Sequence, residues 1–280
     1  MVLLTRMLGR RRAEILNILV GHLLLIGLVA PFFFVFFFMV WNSFKPDYLF
    51  FEPGTWVFKP IWLNYADVFN QTEILFNIRN SIVISSLATA IGVICGLLTA
   101  YAVTRYNLHR LAGAILVTRM IPYITALVPF WMIFRWLGLI NTHVGLVLSH
   151  LVITIPFGVW ILMGYIEDVP RELEEAAWID GASRAEAFVR VVVPLCGPGI
   201  VAAAILCFIF SWNNFDLALV LGGIETNTAP VAVFKFANPE TGGRGQMMAA
   251  ATLVTIPVFF IVMFIQKKMA AGLTIGGIGK

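Results

Sequence analysis

The sequence predicts an all-α polytopic membrane protein with six transmembrane helices. Three observations carry that reading. Hydrophobic residues make up 60% of the 280 positions and charged residues only 12%, with a mean hydropathy of +0.91. A soluble domain carries about 25% charged residues, so this much apolar surface calls for lipid as its solvent. Six stretches are each long enough to cross a bilayer at about 1.5 Å per residue. The basic residues collect on one side of those stretches, as orientation by Lys and Arg requires.

The first stretch, 15–41, follows Arg6 and the run Arg10-Arg11-Arg12. It is longer than a signal-peptide core and lacks a small-residue cleavage pattern, so an uncleaved first span is expected. The others are 81–104, 114–137, 144–166, 199–221 and 247–266. A short turn, Gly138 to His143, separates the third from the fourth and predicts antiparallel neighbours. With the N-terminus inside, twelve of the nineteen Lys and Arg residues lie on the inner side and six on the outer. The remaining one, Arg119, falls near an inner face or within the third span, where a long basic side chain snorkels to the surface. Both termini are expected in the cytoplasm.

Several function classes lose support here. Cys95, Cys196 and Cys207 form no CxxC pair, and their odd number gives no disulfide framework. The four histidines show no ligand spacing, so no metal is expected. A membrane enzyme would want His, Asp or Ser clustered at one face. A channel or secondary transporter acting without an ATPase is the main alternative, and it would want paired intramembrane charges or repeats with broken helices. Asp216 is the one clear intramembrane acid.

Two outer segments stand out. Residues 42–80 contain Trp56, Trp62 and Tyr65, which suit interfacial anchoring. Residues 222–246 are rich in Gly, Thr, Asn and Pro and predict a surface loop. Trp212, Asn213, Asn214 and Asp216 form a polar and aromatic group in the fifth span that would suit a sugar, with Trp212 and Asp216 placed on one face by their i,i+4 spacing. Amides also hold helices together, a structural alternative for this group. Gly92 and Gly96 form one GxxxG pair, a candidate close helix contact.

The inner segment 167–194 holds seven of the fifteen acids. Local signals there spell helix, sharp turn, helix. Pro170 suits a first helical turn, followed by Glu172, Glu174 and Glu175 near the positive helix end. Ala176 and Ala177 favour helix, and Gly181 supplies the stop. Ser183 and Glu186 have capping-box spacing, and Pro194 is expected to end the second helix. The result is a helical hairpin outside the lipid.

Within it, Glu175-Ala176-Ala177, three residues, Gly181, nine residues and Val191-Val192-Val193-Pro194 match a longer pattern. This resembles the EAA loop of ABC-importer permeases, with Val191 and Val193 replacing Ile and Leu. Met120-Ile121-Pro122, Leu137 to Thr142, Ser211 to Phe215 and Gly272 to Gly277 resemble the maltose-type carbohydrate permeases. The resemblance implies the type I ABC importer permease fold and one permease domain over 1–280. It implies ATPase-coupling residues Glu174, Glu175, Ala176, Ala177, Asp180, Gly181 and Pro194. It also implies contact of the loop 222–246 with a solute-binding protein through Asn238, Pro239 and Glu240. Implied partners are a second, related permease, two copies of an ABC ATPase, an extracytoplasmic solute-binding protein and a carbohydrate or polyol, at the bacterial inner membrane. No G-x-x-x-x-G-K-[ST] occurs in the chain. No cofactor is expected on the chain itself, and ATP and Mg are expected on the ATPase subunits.

Overall fold

The structure is a computed structural model describing residues 2–52, 54–120, 122–237 and 243–276, with side chains from residue 18 to residue 263 apart from those at 109 and 123 within that range. The described regular structure is helical. Among the described residues, four helices are long and apolar enough to cross a membrane: Ile18–Asn42, Ile74–Arg105, His143–Glu167 and Arg244–Met263. A bent pair, Arg184–Leu195 and Gly197–Trp212, makes a fifth when taken as one span.

Helix α1 (Val2–Asn42) is apolar on nearly every side from Ile18 onward, so that stretch has no polar face to set against an apolar one. Its residues 18–41 are largely exposed, and it meets the bundle along α13 (Arg244–Gly276). The outer segment after it is structured. It holds one 3-10 turn, Asp47–Phe51, and helix α2 (Leu63–Gln71). Helix α3 (Ile74–Arg105) begins seven residues earlier than the hydropathy pattern suggests.

The central packing is between α3 and α6 (His143–Glu167). Glycines permit the close approach. A Cβ added at Gly96 would lie 2.9 Å from the Gly158 carbonyl carbon, and one at Gly158 would lie 2.9 Å from the Gly92 oxygen. The GxxxG pair is therefore an intrachain contact. Replacing Gly96 with Leu should force the two helices apart, at about 1–3 kcal/mol or more for overpacking. Thermal unfolding of the purified variant in detergent should show a lower Tm; an unchanged Tm would contradict the contact.

The third expected span is interrupted. Helix α4 (His109–Thr118) stops, and α5 (Leu127–Trp136) starts after a 3-10 turn at Tyr123–Ala126. Pro122 carries no N–H for the Thr118 carbonyl and sits in extended backbone (φ −60, ψ 113). Helix α5 packs against α11 (Asp216–Leu221), whereas the extensive helix pairing of α6 is with α3. Phe134 of α5 still shares a buried cluster with Leu146 and Val147 of α6, so the two remain neighbours across the short turn.

The second inner helix does not stop at Pro194. After α7 (Arg171–Ile179) and the single turn α8 (Arg184–Ala187), a π turn runs Phe188–Val192 and passes into α9 (Val193–Leu195). A proline removes one helical hydrogen bond and crowds the carbonyl four residues back, and a wider turn relieves both. The bend of 73° falls between Leu195 and Gly197, where α10 (Gly197–Trp212) begins.

Residues 222–237 contain a helix, α12 (Ala229–Lys235), with Ala229, Val231 and Ala232 buried. The sequence expectation of a surface loop is corrected there: Pro230 in the first turn and the Ala/Val pattern favour a short helix seated on the bundle.

Candidate coupling site and membrane residues

The inner hairpin is built as its local sequence suggests. Pro170 precedes α7, and Gly181 turns the chain at φ +91. Only glycine adopts that backbone without strain. The Ser183 hydroxyl accepts from the Glu186 N–H, and the Glu186 carboxylate accepts from the Ser183 N–H, closing the capping box. Those bonds from Ser183 hold the Glu186 carboxyl below the usual carboxylate range.

The two neighbouring glutamates part company. Glu175 is exposed, as are Ala176, Asp180 and Gly181, while Ala177 is half-buried. Glu174 is 2% exposed. Its Oε1 accepts from Arg105 Nε at 2.6 Å and its Oε2 accepts from the Tyr101 hydroxyl at 2.6 Å. Glu174, expected among the ATPase-coupling residues, therefore points into the protein rather than outward. It ties α7 to the inner end of α3. The alternation follows from helix geometry: successive residues are about 100° apart, so only one of the pair faces the bundle.

Further bonds brace the same joint. Arg105 Nη2 donates to the Val169 carbonyl at 2.9 Å, and Arg171 Nη2 donates to the Thr104 and Arg105 carbonyls at 3.1 Å. A cation on the last carbonyls of α3 also suits the negative end of that helix. Arg184 donates to the Tyr106 hydroxyl at 3.3 Å and lies over the Trp178 ring at 5.1 Å. The Tyr101 ring makes a tilted contact with Phe188, with centroids 4.6 Å apart. A polar cavity of about 190 Å³ lies among these residues. The tip presents apolar surface: Ile179 is 86% exposed, and Leu173 and Val189 are exposed too. A Cβ at Gly181 would meet nothing within 4 Å. Pro194 is exposed on the bent connection to α10. Sequence reasoning did not single out Tyr101, Arg105, Ile179 or Val189 for this site. The exposed apolar tip was visible as Ile179 beside Asp180-Gly181, but the α3 anchors come from far along the chain.

The polar group of the fifth span is divided. Trp212 is 2% exposed and packs with Val68, Phe208, Ala229 and Ala249. Asn214 is 5% exposed and its Oδ1 accepts from the Leu217 N–H, capping α11. Asn213 is exposed and donates to the Ile209 carbonyl at 2.9 Å, and Asp216 is half-exposed in the first turn of α11. The helix ends at Trp212, so Trp212 and Asp216 do not share a helical face. Asn side chains compete with helical bonds in this way, and the Asn213-Asn214 pair was the signal.

At the outer end, the base of segment 222–237 is fixed. Asn80 Nδ2 donates to the Glu225 and Asn227 carbonyls at 3.0 and 3.1 Å, and Ser81 Oγ accepts from the Ala229 N–H at 2.8 Å. Asp47 accepts from the Gly245 N–H at 2.9 Å, and Gln246 donates to Asp67 at 2.7 Å. Asn238, Pro239 and Glu240 lie outside the described residues. No group of three or more His, Cys, Asp or Glu that could hold a metal occurs among the described residues.

Comparison with known proteins places this architecture. Residues 92–274 match the family described as binding-protein-dependent transport system inner membrane component. The trehalose transport system permease protein of Mycobacterium tuberculosis is 38% identical over 77% of this chain and 81% of its own length. The trehalose/maltose transport system permease protein of Thermococcus litoralis is 34% identical over 88% of this chain and 91% of its own. The sulfoquinovosyl glycerol transport system permease protein of Agrobacterium fabrum is 34% identical over 81% of each. In fold, the chain superposes on a bacterial ABC transporter involved in import of the acidic polysaccharide alginate, with TM-score 0.67 and 21% identity over 92% of this chain and 96% of that one. A methionine ABC transporter in an inward-facing conformation follows the same fold, with TM-score 0.59 and 19% identity over 75% of this chain and 98% of that one. The chain belongs to the binding-protein-dependent transport system inner membrane component family and is a multi-pass permease subunit of an ABC importer.

Proposed function

We propose that the chain forms half of the translocation pore for a carbohydrate or polyol and transmits the stroke of separate ATPase subunits through the hairpin 167–194. The observation that carries this reading is the division of labour in α7. Glu174 is buried against α3, while Glu175, Ala176, Asp180 and Gly181 face outward beside the exposed Ile179. A rigid, outward-facing knob with a buried tether is what a push from outside the membrane requires. Ala176 and Ala177 let a partner's backbone come close, and Glu175 offers a carboxylate for a charge-assisted bond to a basic residue of the motor. The bend between Leu195 and Gly197 leads from the knob to α10, so motion at the hairpin rocks a pore helix, as alternating access demands.

In this reading the chain itself is not catalytic. ATP and Mg are bound by two copies of an ABC ATPase, a second and related permease completes the pore, and an extracytoplasmic binding protein delivers the solute. The membrane is the bacterial inner membrane, with both termini and the hairpin in the cytoplasm. The carbohydrate class is supported by relatives described as transporting trehalose, maltose and sulfoquinovosyl glycerol. Segment 222–246 serves the binding protein, through Asn238, Pro239 and Glu240. Asn80, Ser81 and Asp47 fix the described residues on either side of these three.

Two measurements test these statements. Co-purification from a native membrane should bring down an ATPase and a second permease; isolation of this chain alone, still able to transport, would contradict the reading. Deletion of Pro239–Gly243 should abolish binding-protein-stimulated uptake in an assembled complex, and unchanged uptake would remove the binding-protein role.

A further inference from the structure

The guanidinium of Arg119 sits where neither the coupling hairpin nor the outer loop uses it. It lies over the Phe157 ring at 4.2 Å and the Trp160 ring at 5.2 Å, both on α6. Phe157 in turn packs in a tilted contact on Phe210 of α10, with ring centroids 4.5 Å apart. The depth of this group follows from α6, which is long and apolar enough to cross the membrane. Phe157 lies ten residues from the inner end of α6 at Glu167, about 15 Å of helical rise, or half of a hydrocarbon layer of about 30 Å. The guanidinium over that ring therefore lies beside the membrane-spanning part of α6.

A cation there needs a reason. Among the described residues no carboxylate pairs with it. The backbone beside it is not helical, because Pro122 interrupts the span. Non-helical backbone and a free guanidinium cannot face acyl chains; they face protein or a water-filled path. Arg119 is exposed in this chain, and Trp160 beside it is 53% exposed, while Phe157 beneath is 6% exposed. The guanidinium thus lies on an aromatic floor, with its planar donor edge free for a bidentate acceptor.

We propose that Arg119, with Trp160, forms a site in the translocation path for the oxyanion of an acidic carbohydrate: a carboxylate, phosphate or sulfonate carried on a sugar. The oxyanion takes the two edge donors and neutralises the cation, and the exposed Trp160 ring takes an apolar sugar face. A neutral sugar satisfies only the hydrogen bonds. This rests on the carbohydrate reading above and narrows it to an acidic substrate class.

The test uses the permease–ATPase complex in lipid nanodiscs and equilibrium binding of paired probes: trehalose against trehalose 6-phosphate, maltose against maltobionate, and inorganic sulfate as an oxyanion without a sugar or polyol. The wild-type complex should bind the acidic sugars at least tenfold more tightly than the neutral ones. Arg119→Gln should lose at least tenfold for the acidic sugars and little for the neutral pair, and Arg119→Lys should recover part of the loss. The proposal is overturned by no acidic-sugar binding at millimolar concentration, by equal affinity for both members of a pair, or by an unaltered Arg119→Gln complex. It is also overturned if Arg119→Gln weakens neutral and acidic probes alike, which marks a structural role. If inorganic sulfate binds as tightly as the acidic sugars and still depends on Arg119, the oxyanion site stands and the carbohydrate reading fails, so the two failures are separable.

Discussion

Replacing Glu174 with Ala should leave a complex that inserts in the membrane but loses most transport and unfolds more easily. The substitution strips a buried Arg105 of its carboxylate, with the two side chains 10% and 2% exposed. Breaking one side of a buried, hydrogen-bonded ion pair costs about 3–5 kcal/mol. It also frees the Tyr101 hydroxyl and loosens the joint between α7 and α3. A carboxamide keeps the shape but not the charge, so Glu174→Gln should fall between wild type and Ala. Transport per ATP hydrolysed in proteoliposomes, with Tm measured on the same preparations, checks this. A double exchange of Glu174 and Arg105 for apolar residues should recover stability more than either single change. If Glu174→Ala transports at the wild-type rate, the hairpin does not act through α3.

Gly181→Trp should abolish transport while leaving the permease folded. Two effects add. A residue with a side chain at φ +91 is strained, and the indole would project into space that this chain leaves empty. That empty space is where a docked motor must come. Gly181→Ala separates the effects, since it carries the same backbone strain with little bulk. The expected order of transport is wild type, then Ala, then Trp, with ATP hydrolysis surviving in Trp but no longer tied to solute movement. Equal loss in Ala and Trp would assign the effect to backbone strain alone.

The sequence made the hairpin legible because its signals are local. A capping box spans four residues, and a glycine stop is read at one position. What escaped was the tether. Glu174 meets Arg105 across 69 residues and Tyr101 across 73, and no local pattern reports such a pair. The inner acids were therefore read as one group, although helix geometry splits Glu174 from Glu175. In the fifth span, Trp212 and Asp216 fit an i,i+4 pair only if the helix continues. It ends at Trp212, and tight packing claims the Trp ring. Hydropathy averaged over a window also carried the third span straight through Pro122, where the chain is broken. The single GxxxG pair, weak as a motif, marks a close helix contact because Gly158 faces it from α6.

The most direct test of the coupling assignment is a cross-link. Cysteine placed at Ala176, exposed on α7, should be joined to the ATPase subunit by a short bismaleimide in the assembled complex. Cysteine placed at Trp136, 85% exposed at the opposite end of the bundle, should not. A covalent permease–ATPase band from position 176 and none from position 136 is the predicted result. No band from position 176, or equal bands from both, would contradict the hairpin's role as the coupling point.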